Sequence, residues 1–142
     1  MSVLIFVTIG IILGFMLFFP IVVAPTVFTI LNEKQSSLFL RSFFPKYYLF
    51  GIILCMVAIS FTFILEETLT LIFFLVMISG FIYSRQILTP AINKARDDEI
   101  KGNKQSKNKF EKLHRISVII NIIQILLCIF MLINFLYFNF KI

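Results

Sequence analysis

The residues best suited to chemistry form a stripe near the end of the chain: His114, Ser117, Asn121, Gln124 and Cys128. Their spacings are three, four, three and four. At about 100° per residue they fall within about 80° of one another on a helix surface. The surrounding segment is strongly apolar, and polar side chains inside a membrane normally turn toward a bundle interior or a wet cavity. The stripe is therefore expected to face inward. Asn121 and Gln124 each offer donors and an acceptor. They suit interhelical hydrogen bonds, worth roughly 1 kcal/mol each. They also suit a small polar pocket open to the cytoplasmic side, with His114 and Arg85 near its mouth and Asn93 as a further member. His114 at the membrane boundary equally fits a capping or snorkelling role.

Several reaction classes find no support. No metal-ligand spacing and no pair of carboxylates suited to acid–base catalysis occurs. Glu66 and Glu67 are adjacent, so on a helix they point apart. His114 is the single histidine, so a two-histidine haem site would need a dimer or another axial ligand. Cys55 and Cys128 lie inside apolar stretches and read as small packing residues rather than a disulfide framework. A non-enzymatic protein without a cofactor is the expectation.

Four apolar stretches, residues 3–31, 47–65, 68–89 and 115–138, must position the stripe. A bilayer core about 30 Å thick takes about 20 helical residues to cross. A soluble chain of 142 residues that is 60% hydrophobic could not cover its apolar surface. The expected fold is all-α: a polytopic membrane protein in which one domain, residues 1–142, forms an antiparallel four-helix transmembrane bundle. The fourth helix is expected to span about 110–138. Lipid is then the principal partner.

The formal charge is +6. No zinc, aromatic-platform or recognition-helix signature accompanies it, which argues against nucleic acid. The basic residues instead sit in loops. The first connection holds Lys34, Arg41 and Lys46, and residues 94–115 hold eight more Lys and Arg against four acids. The turn between spans 2 and 3 has none, and the C-terminal end has Lys141. The excess of basic residues places the first and third connections in the cytoplasm and both termini outside. Those loops also suit anionic phospholipid headgroups. The N-terminus has no basic leader before its long apolar run, so it is expected to remain as span 1. A bacterial inner membrane fits that reading.

Local signals refine the picture. Gly10 and Gly14 leave a close-approach notch on span 1, which would serve a homo-oligomer or another membrane protein. Pro20 and Pro25 predict a bend. Ser36 or Ser37 is expected to cap a short interfacial helix that ends before Pro45. There Lys34, Arg41 and Lys46 would reach phosphates. Gly51, Cys55, Ala58 and Thr62 make one small-residue face on span 2, a groove for a neighbouring helix. Ser79, Tyr83 and Gln86 share a face of span 3. Thr89 is expected to cap a further short helix with Pro90 at its first position, ending near Gly102. Asn108 with Glu111 resembles a capping box that starts the last helix.

Taken in order, several local patterns resemble the transmembrane protein 205-like family of small four-span proteins. They are Pro25 with Phe28; Phe44-Pro45-Lys46-Tyr47-Tyr48; Arg85 and Pro90 with Asn93 and Arg96; and Phe110, Leu113-His114, Ser117 and Asn121-Ile122-Ile123-Gln124. The resemblance covers most of the chain. It implies a four-helix membrane fold with no defined reaction. That family is in turn similar in architecture to copper-resistance membrane domains and to the haem-dependent protoporphyrinogen oxidase, which use intramembrane histidines. This implies an alternative haem- or metal-handling role, although spans 1 to 3 here contain no histidine. A second alternative is an oligomeric small-solute transporter subunit, since four spans alone enclose little.

Overall fold

The computed structural model describes residues 3–140; Lys141 lies outside the described residues. Four helical rods in it are long and apolar enough to cross a membrane: Val3–Ile30, Glu33–Ile64, Thr68–Ile100 and Gln105–Tyr137. The protein is a multi-pass, all-α membrane protein.

The first rod comprises α1 (Val3–Phe18), a π-helical turn (Phe19–Val23) and α2 (Ala24–Ile30). The third repeats the device: α4 (Thr68–Tyr83), a π turn (Ser84–Leu88) and α5 (Thr89–Ile100). Each π turn stops two residues before a proline, Pro25 and Pro90. A proline has no N–H and its ring crowds the carbonyl four residues back. Widening that turn to the i→i+5 pattern relieves the crowding without breaking the rod. Thr89 was expected to start a separate helix, but the rod runs straight through it. Its Oγ1 donates to the Ser84 carbonyl at 2.8 Å, beside the π-type bond that its own N–H donates to the same oxygen.

The second rod corrects another expectation. No separate interfacial helix ends before Pro45. Instead α3 runs unbroken from Glu33 to Ile64 with Pro45 inside it. Asn32, rather than Ser36 or Ser37, provides the cap. Its side chain accepts from the Gln35 N–H at 3.0 Å, and its own N–H donates to Gln35 Oε1 at 3.2 Å. This capping box satisfies two end donors reciprocally. The Ser36 hydroxyl donates back to the Leu31 carbonyl at 3.2 Å.

Tight turns join the remaining rods. Glu66 takes a positive φ of 55° between α3 and α4, and Gly102 one of 93° after α5. The reversal at Gly102 brings Asn103 to the start of α6 (Lys104–Phe140), where its Oδ1 accepts from the Gln105 N–H at 3.1 Å. The last helix therefore begins before Asn108, which lies inside it, and the proposed Asn108–Glu111 cap is not used.

The rods form a ring. α1 packs on α3 and α6, α3 packs on α4, and α4 with α5 packs on α6. The core is a sequence of one-face stripes: Ile5, Ile9, Ile12 and Met16 on α1; Cys55 and Ala58 on α3; Phe73, Phe74, Met77 and Phe81 on α4; Cys128 and Met131 on α6. Large apolar side chains such as Phe18, Ile53, Phe63, Leu69 and Phe130 point outward. Lipid is as apolar as they are, so this exposure carries no penalty there.

A candidate binding cavity at the charged end

The polar stripe of α6 divides into two parts. Its inner members bind helices together. Gln124 is buried, and its Nε2 donates to the Met77 carbonyl of α4 at 2.9 Å. Gly80 makes that approach possible, because a Cβ there would lie 2.7 Å from the Gln124 amide nitrogen. Asn121 donates to the Tyr47 hydroxyl at 3.5 Å, at the long limit for a hydrogen bond. Cys128 sits in the apolar core. Arg85 stands apart from both groups: its Nε donates to the Pro45 carbonyl at 3.2 Å.

The outer members, Ser117 and His114, line a cavity of about 520 Å³. That volume is within the range of about 300–1,000 Å³ typical of small-molecule sites. Three helices supply one-face stripes to its walls. α3 gives Ser36, Ser37, Leu40, Arg41, Phe44 and Tyr48; α5, including its first residue, gives Thr89, Ile92, Asn93 and Arg96; α6 gives Phe110, His114 and Ser117. Phe28 and Leu31 close part of the fourth side. Asn93 thus joins His114 and Ser117, whereas Asn121, Gln124 and Arg85 are not among the lining residues. Apart from Tyr48 and Thr89, the lining residues of α2, α3 and α5 lie on the charged-end side of Pro25, Pro45 and Pro90 in their rods. The fourth side is incomplete: among the described residues α2 packs on α3 but not on α6.

Every lining cation has a carboxylate partner. Arg41 grips Asp97 with two hydrogen bonds, Nη2 to Oδ1 at 2.5 Å and Nη1 to Oδ2 at 3.1 Å. Arg96 pairs with Glu33 and, at 2.8 Å, with Glu99, while its guanidinium lies 5.4 Å from the Phe110 ring centre. The Arg41 hydrogen bonds hold the Asp97 carboxyl below the usual carboxylate range. The hydrogen bond to Glu99 raises Arg96 further above its ordinary value. Arg41 is therefore committed to Asp97 and not to phosphates as expected, because a planar guanidinium matches a carboxylate bidentately. Lys34 and Lys46 remain exposed.

The lining also holds uncommitted polar groups. The side chains of Ser37, Asn93 and His114 make no hydrogen bond among the described residues. The His114 ring lies nearly parallel to Phe110, with centroids 6.1 Å apart and planes at 6°. On the opposite wall Phe44 stacks on Tyr48 at 5.8 Å and 20°.

The family model described as Domain of unknown function (DUF4149) matches residues 7–101. The chain belongs to this family. No curated protein and no solved structure matches it. The DUF4149 match runs from α1 to the end of α5, so it includes the α2, α3 and α5 walls. The α6 wall, with Phe110, His114 and Ser117, follows the matched segment.

The packing residues named from sequence lie elsewhere in this DUF4149 protein. Gly51, Cys55 and Ala58 are buried on α3, and a Cβ at Gly51 would come within 2.8 Å of the Phe81 ring. Gly10 and Gly14 are exposed, and an added Cβ at either meets nothing within 4 Å. Ser79, Tyr83 and Gln86 face outward. Sequence reasoning missed Gly80 and the acids Glu33, Asp97 and Glu99. The signal for the acids was present, since both loops of the charged end carry charges of both signs.

Proposed function

We propose that this DUF4149 protein is a non-enzymatic membrane protein of the transmembrane protein 205-like type that binds a small ligand in the cavity at its charged end. The observation that carries the reading is the cavity of about 520 Å³ in which the side chains of Ser37, Asn93 and His114 make no hydrogen bond among the described residues. Ser37 and Asn93 are half-buried and His114 is exposed, so a ligand entering the cavity would exchange water at these groups for its own hydrogen bonds.

The charged end faces the cytoplasm and both termini face outward, as the Lys and Arg distribution supports. A bacterial inner membrane suits this arrangement. The exposed basic side chains around the mouth, such as Lys34, Lys46 and Lys94, rest against anionic headgroups. The outward Gly10–Gly14 notch on α1 serves self-association or a partner helix.

Sidedness and access can be tested together. With Cys55→Ala and Cys128→Ala as background, a membrane-impermeant maleimide should label Ser37→Cys in inverted vesicles. Intact right-side-out vesicles should remain unlabelled. Labelling from the outer side would overturn the orientation, and no labelling from either side would overturn an open cavity.

A further inference from the structure

The cavity's lining narrows its ligand class, given that the cavity is a binding site. We propose that it receives the headgroup of a prenylquinone drawn from the bilayer. Three observations converge on an uncharged, flat, hydrogen-bond-accepting head with an apolar tail.

The first is charge. The lining holds two guanidinium groups, Arg41 and Arg96, and Asp97, Glu33 and Glu99 already neutralise them. A phosphate or carboxylate head would have to compete with those carboxylates for the two guanidinium groups. A neutral head leaves them intact.

The second is the placement of uncommitted groups. Ser37 belongs to α3, Asn93 to α5 and His114 to α6, so the uncommitted groups come from three different walls of the cavity. A quinone ring carries two carbonyl oxygens on opposite edges, so it needs donors from opposite sides. The Ser37 hydroxyl supplies one side, and the Asn93 amide with an N–H of His114 supplies the other. Phe44 on α3 and Phe110 on α6 offer aromatic walls to the ring.

The third is access. α2 and α6 do not pack together among the described residues, while α1 and α6 do. The ring of helices is therefore closed along α1 and open beside α2. Phe28, a cavity-lining residue of α2, is 64% exposed at that opening. A ligand can enter sideways from the membrane boundary and leave its prenyl tail among the lipids, without passing through the bulk cytoplasm.

The test uses the full chain in nanodiscs, titrated with decylubiquinone, a diacylglycerol and phosphatidylglycerol, with occupancy read by native mass spectrometry. Decylubiquinone should bind saturably. Asn93→Leu and His114→Leu should each weaken it roughly ten-fold, about the effect of one lost hydrogen bond. Gln86→Leu, on the outward face, should leave it unchanged. Decylubiquinone should also slow maleimide labelling of Ser37→Cys in the cysteine-free background, a readout that does not depend on the stability of the leucine variants. Absent binding, or binding that neither protects Ser37→Cys nor responds to Asn93→Leu, overturns the quinone assignment. If the diacylglycerol or phosphatidylglycerol protects Ser37→Cys where decylubiquinone does not, the cavity remains a binding site and only the ligand class falls. If none of the three protects it, the quinone assignment falls and the binding-site reading loses its support from lipid ligands.

Discussion

The two halves of the bundle solve the same problem differently. Away from the charged end, α1 and α4 are regular helices, and Ile5, Ile9, Phe73, Phe74, Met77 and Cys128 fill the space between rods. Toward the charged end three of the four rods carry a proline, Pro25, Pro45 or Pro90. α3 runs unbroken through Pro45, whereas π turns precede Pro25 and Pro90, α2 parts from α6, and a cavity appears. Regular backbone lets one-face stripes interlock to full density. Proline removes that regularity at one level of the bundle, and polar and aromatic side chains line the space that results.

The contrast can be broken most severely in the packed half. Gly51→Leu would drive a side chain into the Phe81 ring, which already stands 2.8 Å from the position of a Cβ. Overpacking of this kind costs about 1–3 kcal/mol or more. The variant should show the largest fall in melting temperature in detergent. A Leu at Gly14, which meets open space, should melt like the parent as a monomer.

An intermediate effect belongs to the hydrogen bonds that link the rods. Gln124→Leu removes a buried 2.9 Å bond and should lower stability by about 1 kcal/mol. Asn121→Leu removes a bond of 3.5 Å and should cost about half of that or less. Thermal melts of both variants test the ranking. Equal losses would mean that the 3.5 Å bond of Asn121 stabilises the bundle as much as the 2.9 Å bond of Gln124.

The smallest effect belongs to the charged end. The Arg41–Asp97 pair is partly exposed, so solvent screens it. Asp97 has a lowered pKa in the fold. Its contribution is therefore present above the ordinary carboxylate value of about 3.9 and is lost as pH falls through the lower, folded value. Hydrogen exchange in α5 should rise in that acidic window and not between pH 6 and 8. Asp97→Asn should remove the acidic transition while leaving exchange in α1 unchanged.

The four spans were legible in the sequence because hydrocarbon demands long apolar runs. So was the inward side of α6, since Ser117, Gln124 and Cys128 share a helical face. The continuity of α3 was not legible. Pro45 normally argues for a break, but the Asn32 capping box starts the helix early and the rod carries the proline in its interior. Nor was the division of the stripe. Asn121 and Gln124 reach Tyr47 and Met77, which lie 74 and 47 positions away, and spacing along one helix cannot reveal such partners. The pairing of Arg41 with Asp97 across 56 positions is hidden for the same reason. Gly80 looked like an ordinary small residue of span 3. Its importance arises only from the side chain that α6 brings against it.

The central claim is that the bundle is open and wet at its charged end and closed elsewhere. Cysteine accessibility in proteoliposomes tests it directly, with the native cysteines replaced by alanine and a small water-soluble thiosulfonate as the reagent. Cysteines at Ser37, Asn93 and Ser117 should react quickly, while those at Ala58 and Thr70 should stay inert. Equal reactivity at the two sets of positions, or a protected Ser37, would contradict the account.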